Sequence, residues 1–342
     1  MAPDVSVVMP VFNGAAYLRE AVASILGKTH ASLELIVIDD GSQDDSDAIA
    51  ASFGDPRLRL LRNDGNRGLV ETRNRGIDAA TGRFIAFLDA DDVALPQRLA
   101  VQLAALDSYP ALAAVGSAAQ PIDAAGRTRS APWRMAGDPA FCRAMLVFRQ
   151  WFVTSSLTAR AEVLRALRFS REVPLAEDLH LYQRLADRWH ARNLDQVLIR
   201  YRLHGQNTTT TRREELRASL AVIHRQALAR LGIAASDDEL ALHRSIEWHD
   251  QPVDAAWLAA VEAWLRRIRA ANLAHGRYEP QAFAAVLSEV WLSACEAASA
   301  AAQRDAVLRF ASSPLSTWRG TPLARLSKLA LRPWLAARRA PA

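Results

Sequence analysis

The sequence has few of the features that mark exported, disulfide-bonded or membrane-spanning proteins. Its two cysteines, Cys142 and Cys295, lie far apart in the chain and lack metal-ligand spacing. They predict neither a disulfide nor a zinc site, and they fit a reducing compartment. The N-terminus has no basic region before an apolar run, and no segment reaches the roughly 18 uncharged apolar residues of a membrane span. We therefore expect a globular cytoplasmic protein, neither exported nor membrane-spanning.

The basic charge is confined to the C-terminal end, where acidic residues are absent. Residues 313–342 contain five Arg, one Lys and no Asp or Glu, whereas the whole chain has a formal net charge of +5. Apolar and basic side chains interleave in this tail, and Pro322 and Pro333 limit any continuous helix to about ten residues. The tail predicts either peripheral contact with the inner face of the cytoplasmic membrane or a packed terminal helix with a solvated basic face. No nucleic-acid partner is expected, because the tail has no aromatic stacking platform.

The first hundred residues alternate between strand and helix patterns. Apolar runs of strand length at 5–12, 33–40, 57–63 and 83–89 are separated by helical patterns that begin near Ala15, Ser42 and Gly68. This order predicts an α/β fold with a mostly parallel sheet and helices on both faces. The pattern loosens between 97 and 205, although 176–187 still predicts an amphipathic helix and 197–204 a strand. After 215 the chain becomes helical and rich in Ala and Leu.

Polar residues follow three of the predicted strands. Segments 10–14, 39–42 and 89–92 each lie just past the carboxyl end of a strand. In open α/β sheets, ligands bind outside those strand ends. The three segments, distant in sequence, are therefore expected to form one site.

The fourth strand ends in three crowded acids, Asp89, Asp91 and Asp92. Like charges this close raise each other's pKa and cost stability unless a cation or hydrogen-bond donors offset them. If the strand geometry continues, Asp89 and Asp91 project to one side and Asp92 to the other. Two carboxylates on one side suit Mg²⁺ or Mn²⁺ completed by phosphate oxygens and water. The alternative is that Asp91 and Asp92 only cap the helix that begins near Pro96.

Two other acidic positions have a functional and a structural interpretation. A capped turn explains Gly41 and Ser42 but leaves Asp40 to accept hydrogen bonds from a base or ribose. Glu177 and Asp178 are either a functional pair or an exposed pair at a helix start, where the macrodipole favours acids.

Three basic residues near position 200 also have both a functional and a structural interpretation. His204 follows a strand and precedes a polar loop, so it is a ligand or a packed residue. Arg200 and Arg202 either bind phosphate or lie at a solvated edge.

Six segments, taken in order, resemble glycosyltransferase family 2. They are VSVVMPVFNG, LIVIDDGSQDDS, NRGLVETRNRGI, FIAFLDADD, AEDLHLYQRL and YRLHGQNTT. The resemblance covers roughly residues 4–210. It implies the GT-A fold, which is a Rossmann-related, mostly parallel sheet flanked by helices, and an inverting, metal-dependent hexosyltransferase that uses a nucleotide-diphospho-sugar. Residues 215–342 match none of these motifs and form a helical C-terminal extension.

The resemblance also implies site residues. The implied nucleotide-sugar contacts are Pro10, Phe12, Asn13, Asp40, Arg73, Asp89 and Asp91. Asp91 would bind a divalent cation, Mn²⁺ or Mg²⁺, and His204 would be its second ligand near the diphosphate. Asp178 would be the general base that takes the proton of the acceptor hydroxyl. Its preference over Glu177 comes from the resemblance alone.

The resulting prediction is an enzyme that moves a sugar from a UDP-sugar to a saccharide or lipid-linked acceptor in surface polysaccharide or glycolipid synthesis. Its predicted parts are a nucleotide-sugar-binding half (1–105), an acceptor-binding half of the same domain (106–210) and a helical region (211–342) that ends in a basic amphipathic tail (313–342). One alternative is a sugar-phosphate nucleotidyltransferase, although MPVFNGAAY is not a Gly-rich phosphate loop. The other is a non-catalytic nucleotide-sugar-binding protein, which the intact Asp40, Asp91 and Asp178 disfavour.

Overall fold

An eight-stranded mixed sheet organises the first two hundred residues. Its strands are β1 (Val5–Val11), β2 (Leu33–Asp39), β3 (Leu58–Arg62), β4 (Phe84–Phe87), β5 (Val93–Ala94), β6 (Leu112–Ile122), β7 (Thr158–Arg160) and β8 (His190–Arg202), ordered β3-β2-β1-β4-β7-β6-β8-β5. The β3-β2-β1-β4 run is parallel, as is the β6-β8 pair, whereas β7 and β5 pair antiparallel to their neighbours. The predicted mostly parallel α/β sheet is confirmed.

The computed structural model describes residues 2–27, 32–205, 212–301, 303, 305–317, 325–327 and 329. Within these residues the helices are α1 (Ala15–Leu26), α2 (Ser46–Ala51), α3 (Leu69–Ala79), α4 (Arg98–Ser108), α5 (Pro139–Met145), α6 (Ala161–Leu167), α7 (Glu177–Arg188), α8 (Arg213–Ala229), α9 (Asp237–Trp248), α10 (Ala255–His275), α11 (Pro280–Ala300) and α12 (Ala306–Ser312). A short 3₁₀ turn covers Thr154–Ser156.

Continuous apolar strands and one-sided helices explain the core of the sheet. Every residue of β1 and β2 is buried, as expected for parallel strands covered on both faces. Helix α1 buries one stripe at helical spacing, formed by Leu18, Ala21, Val22 and Ile25. The predicted helix start at Ser42 is wrong, because α2 begins at Ser46. The Ser42 hydroxyl instead accepts a hydrogen bond from the backbone of Asn13.

The chain divides into two compact units. The first contains the residues up to Cys142 together with Gln150–Ser219, and the second contains Arg143–Arg149 and the chain from Leu220 onward. The second unit is helical in its described part, in agreement with the Ala/Leu-rich pattern. It also includes 143–149, which the sequence assigned to the acceptor-binding half. The division of the first unit near residue 105 stays a prediction.

One described helix, α11, is long and apolar enough to cross a membrane by length and composition alone. In its apolar window 61% of the residues are buried inside the fold, where the helix packs against α10 and α12. The core helix of a water-exposed domain passes the same test, so this finding is weak evidence for a membrane span.

Part of the predicted basic tail lies on α11. The guanidinium of Arg325 pairs with Glu289 and Glu296, each at 2.7 Å, and Leu329 is buried. The hydroxyl of Ser299 donates to the Leu329 carbonyl. At Arg325 and Leu329 the tail is therefore packed on the protein, as the second of the two predicted alternatives has it. Most of residues 318–342 lie outside the described residues, so the membrane contact stays a prediction.

Two buried histidines give the second unit a dependence on pH. His224 and His243 stack edge to face at 4.7 Å, and both are 1% exposed. The Trp264 indole donates to Nδ1 of His243, and Nε2 of His243 donates to the Val147 carbonyl. With one ring nitrogen accepting and the other donating, the His243 imidazole is neutral. Burial lowers the pKa of His243 to about 4 and that of His224 well below its ordinary value.

The stability of the second unit is expected to fall as the pH drops below about 6.5, the pKa of an unfolded histidine. Each buried histidine then costs about 1.4 kcal/mol per pH unit, because the unfolded chain protonates it and the folded one does not. Glu247, whose pKa burial raises to about 7, offsets part of this loss by taking up a proton in the folded state. Thermal unfolding at pH 7.5 and 5 measures the loss. The change His224→Phe removes one proton site and should reduce the difference, whereas the change of the exposed His190→Asn should not. An unchanged melting temperature between the two pH values would contradict this account.

Candidate active site

The carboxyl ends of β1, β2 and β3 meet in a network of loop hydrogen bonds. The backbone N–H of Asn13 donates to Ser42 at 2.9 Å, and the Asn13 side chain accepts from Gln43 N–H at 2.8 Å. Asn13 has a φ of +50°, a left-handed conformation that Asn tolerates better than most residues. The structure therefore brings the first two predicted polar segments together.

The two apolar residues predicted to contact the nucleotide differ in exposure. Phe12 is 47% exposed at the end of β1, so its ring is available to a ligand. Pro10 is buried inside β1, beside Ile38 of β2. A nucleotide contact of Pro10 stays a prediction.

Asp40 holds the loop that follows β3. Its carboxylate accepts hydrogen bonds from the Asn63 side chain at 2.6 Å and from the backbone N–H groups of Arg67 and Gly68, both at 2.9 Å. Asp40 is 4% exposed. Asp40, which the capped turn leaves unexplained, thus has a structural role. Its contact with a base or ribose stays a prediction.

The three acids after β4 lie in a tight turn, not in a continued strand. The backbone N–H of Asp92 donates to the Asp89 carbonyl at 3.1 Å, so the period-two argument for these side chains is wrong. The separation that it predicted nevertheless occurs. Asp89 and Asp91 keep about 30% of their side chains exposed, whereas Asp92 is buried. The capping alternative is not supported, because α4 begins at Arg98 without a side-chain cap.

Crowding raises the pKa values of two of these acids. Burial and the nearby Asp89 raise the pKa of Asp91, and a hydrogen bond from His204 opposes the rise. Burial raises the pKa of Asp92 well above its ordinary value, with repulsion from Asp91 and Asp89 adding to it. Oδ2 of Asp92 has no hydrogen-bond partner among the described residues, and its Oδ1 accepts from the backbone of Arg202. The repulsion predicted from the sequence is therefore present in the fold.

Arg73 connects the β4 turn to α7. Its guanidinium donates to Asp89 at 2.9 Å and to Glu177 at 2.6 Å, and it lies over the Phe169 ring at 5.4 Å. Arg73 is 3% exposed and Glu177 5%, so the acid pair at the start of α7 is not an exposed one. Burial raises the pKa of Glu177 to about 7, although Arg73 opposes the rise. Sequence position alone gave no indication of this 104-residue link.

Asp178 is held at the start of α7 by side chains that the sequence did not indicate. One carboxylate oxygen accepts from the Gln150 amide and from the Thr154 hydroxyl, both at 2.9 Å. The Thr154 hydroxyl also bonds the phenol of buried Tyr182 at 2.8 Å. Ala176, just before the helix, has a φ of +58°, so the chain turns sharply into α7. Asp178 is therefore partly exposed and held in one orientation.

Asp91 and His204 form a pair that fits a divalent cation. Oδ2 of Asp91 lies 2.9 Å from Nε2 of His204, and the His204 ring packs on Tyr17 at 5.2 Å. Two ligands at about 2.0–2.1 Å from a metal and at right angles lie about 3 Å apart. The described residues hold no group of three or more His, Cys, Asp and Glu that would form a complete metal cage. The pair therefore fits Mn²⁺ or Mg²⁺ bound mainly through substrate phosphate and water.

Arg202 fixes the backbone around this pair, a role that the two sequence interpretations did not include. It is 2% exposed, its backbone donates to Asp92 at 2.8 Å, and its Nε donates to the Asp91 carbonyl at 2.8 Å. Its guanidinium also pairs with Glu20 at 2.6 Å and lies over the Tyr17 ring at 4.6 Å. Arg202 thus ties the end of β8, and with it His204, to the β4 turn.

The change Arg202→Met is expected to weaken metal-dependent nucleotide binding by about tenfold or more, because residues that orient metal ligands are worth that much. Titration calorimetry of UDP at several Mn²⁺ concentrations measures the effect, and binding without metal should change less. Arg200→Met is the matched control, since Arg200 lies two residues away and donates to the Gly126 carbonyl. Equal losses in both variants would contradict the role of Arg202.

Comparison with known proteins agrees with this geometry. Residues 6–160 match the model of glycosyl transferase family 2. An uncharacterized glycosyltransferase of Haemophilus influenzae is 29% identical over 236 residues, which cover 66% of this chain and 73% of the relative. Residues 6–160 of this chain form a glycosyltransferase family 2 domain. The predicted family is confirmed, and Asp178 and His204 lie beyond the matched residues of this glycosyltransferase.

Two further comparisons concern substrate and fold. An Escherichia coli UDP-Glc:alpha-D-GlcNAc-diphosphoundecaprenol beta-1,3-glucosyltransferase, WfgD, is 38% identical over 99 residues, or 29% of this glycosyltransferase and 39% of that relative. The mannosyltransferase PcManGT from Pyrobaculum calidifontis, solved with GDP-Man and Mn²⁺, has a TM-score of 0.54 at 19% identity. That match covers 98% of this chain and 88% of PcManGT. The predicted GT-A-like fold is thereby confirmed.

Proposed function

We propose that this family 2 glycosyltransferase moves a sugar from a UDP-sugar to a hydroxyl of a saccharide or lipid-linked acceptor, with inversion at the anomeric carbon and with help from Mn²⁺ or Mg²⁺. The process that it serves would be the synthesis of a surface polysaccharide or glycolipid. WfgD, whose name specifies a UDP-sugar and a lipid-linked acceptor, supports both choices.

The bridge made by Arg73 is the observation that carries this proposal. It holds Asp89, on the side of the Asp91–His204 pair, and Glu177, the neighbour of Asp178, in one buried network. A metal-phosphate side and a proton-accepting side are therefore fixed to one another. A protein that only bound the nucleotide-sugar would not need the second side.

The donor would lie along the rim with its base near Phe12 and its diphosphate near Asp91. A bound divalent cation would neutralise charge on the diphosphate as it leaves. Asp91 and His204 would hold the cation, and PcManGT, solved with Mn²⁺, supports this assignment. The guanidinium of Arg73 donates to Asp89 and Glu177 and so keeps those two carboxylates oriented.

Asp178 would remove the proton of the attacking hydroxyl. The hydroxyl oxygen then forms a bond to the anomeric carbon while the bond from that carbon to the diphosphate breaks on the opposite face. One displacement inverts the configuration. The hydrogen bonds from Gln150 and Thr154 keep the carboxylate in a single orientation, so little reorganisation is needed at the moment of transfer.

We propose a cytoplasmic location with peripheral contact at the inner face of the membrane. Cys142 and Cys295 are free and buried, in agreement with a reducing compartment. The basic, acid-free residues 313–342 support the membrane contact, since clusters of Lys and Arg favour anionic lipid surfaces.

Binding and turnover of nucleotide-sugars test the proposal directly. Titration calorimetry of UDP with and without Mn²⁺ should show tighter binding with metal, and a screen of nucleotide-sugars with Mn²⁺ should show hydrolysis or thermal stabilisation by one donor. Release of UDP supports a glycosyltransferase. Release of pyrophosphate from a nucleoside triphosphate and a sugar phosphate would instead identify a nucleotidyltransferase, and binding without metal dependence would contradict the metal assignment.

A further inference from the structure

Two aromatic side chains lie on the part of the sheet formed by β6 and β8. The rings of Trp133 and Tyr201 are 5.2 Å apart with an interplanar angle of 43°, and Trp133 is 37% exposed. Tyr201 packs in a small apolar cluster whose other members are Ala119, Met135, Val153 and Ile199. Trp133 thus offers part of its indole face at the surface, with apolar side chains behind it.

The segment that carries Trp133 is fixed to the sheet. Trp133 and Ala119 exchange both backbone hydrogen bonds, at 2.8 and 3.1 Å, and isolated bridges join Thr128 to Ile122 and Gly137 to Asn193. Residues 128–137 therefore form an ordered strap along the sheet. The indole is presented in one position, which lowers the entropy cost of binding against it.

Residues next to each other in the chain connect this aromatic pair to Asp178 and to the β4 turn. Val153, which packs in the cluster of Tyr201, immediately precedes Thr154, whose hydroxyl bonds Asp178. Tyr201 also precedes Arg202, whose backbone bonds Asp92. Burial raises the pKa of Tyr201, and the carboxylates that add to the rise are those of Asp92, Asp89, Asp91 and Asp178. The phenol thus stays protonated, and the negative charges of the β4 turn and of Asp178 act on it.

We propose that Trp133 and Tyr201 form the acceptor subsite and stack against the apolar C–H face of a pyranose ring. This inference rests on the proposed function and names the chemistry of its acceptor. Aromatic rings with a few placed polar groups are the usual lining of a site for an amphipathic small molecule. The adjacent Asp178 would then face a hydroxyl at the edge of the stacked ring.

The position of the pair favours the acceptor over the donor. The loops predicted to hold the nucleotide follow β1, β2 and β3, at one end of the strand order. Trp133 is bridged to β6 and Tyr201 belongs to β8, near the other end. Asp89 and Asp91 follow β4 between them. A donor that reaches from Phe12 to Asp91 leaves the aromatic side to the incoming hydroxyl.

Alkyl glycosides test this subsite without knowledge of the natural acceptor. Saturation-transfer NMR with a panel of octyl pyranosides, in the presence of UDP and Mn²⁺, should show magnetisation transfer to the ring protons of at least one glycoside. The change Trp133→Ala should weaken that binding by about tenfold, the value of one lost stacking partner and its buried area, and Trp133→Phe should restore most of it. Tyr109→Ala is the matched control, because Tyr109 is an exposed aromatic on another surface, 59% accessible.

Kinetics with the same glycosides separate an effect on acceptor binding from an effect on donor binding. Trp133→Ala should raise the acceptor KM while the donor KM and the slow hydrolysis of donor by water stay within about twofold, a range within the scatter expected for an independent site. An unchanged acceptor KM, a parallel rise of the donor KM, or the absence of any ring contact in the wild-type protein would each overturn the subsite. Ring contact that depends on Trp133 without transfer from any nucleotide-sugar would uphold the subsite and contradict the proposed function.

Discussion

Asp178→Asn is expected to abolish sugar transfer and to leave the affinity for UDP and Mn²⁺ unchanged. A positioned general base contributes about 10²–10⁴-fold to rate, and Asn has the same shape but takes up no proton. The amide oxygen can still accept from Thr154, so the start of α7 should keep its structure. Initial rates with saturating donor and acceptor measure the loss, and titration calorimetry of UDP with Mn²⁺ shows whether the donor side is intact.

The control for this change is Asp107→Asn, which removes a carboxylate from an exposed ion pair with Arg83. Such surface pairs contribute at most about 1 kcal/mol, and no active-site group depends on this one. Full activity of Asp178→Asn would refute its role as base. A simultaneous loss of UDP affinity would instead point to a structural role at the end of the Arg73 network.

The local part of the fold follows from the sequence because neighbouring residues determine it. Continuous apolar runs produced β1 and β2, and the helical spacing of Leu18, Ala21, Val22 and Ile25 produced α1 with the expected buried stripe. The helix start predicted at Ser42 is wrong because the same hydroxyl can cap a helix or bond a neighbouring loop. Only the approach of the β1 loop decides between the two.

The partners of the acidic residues depend on tertiary contacts and could not be predicted. The ligand contact of Asp40 stays a prediction, and no local pattern indicates that its carboxylate also accepts from residues 63–68, which reach it only after β3 has paired with β2. Arg200 and Arg202 have the same two interpretations in the sequence. Only the burial of Arg202 against Tyr17 shows that this residue ties the end of β8 to the β4 turn. Gln150 and Thr154 belong to no motif, so nothing along the chain connects them to Asp178.

Asp91→Asn is expected to remove the metal dependence of UDP binding and to lower transfer by about 10²-fold or more, because Lewis-acid stabilisation of the leaving diphosphate is worth several kcal/mol. Asn keeps a weak oxygen ligand but loses the charge that attracts a hard divalent cation. The measurement is calorimetry of UDP across a Mn²⁺ series, together with transfer rates with and without EDTA. In wild-type protein EDTA should lower the rate to the level of the variant.

The partnership of Asp91 with His204 gives this prediction a second test. If both side chains hold one cation, either single change already ends metal binding, so Asp91→Asn combined with His204→Gln should be no worse than the more severe single change. Additive losses, as found for independent sites, would instead show that the two residues act separately. Their oxygen and nitrogen are 2.9 Å apart, a hydrogen-bond distance that is also short enough for both to bind one cation. EDTA should then have no further effect on either single variant.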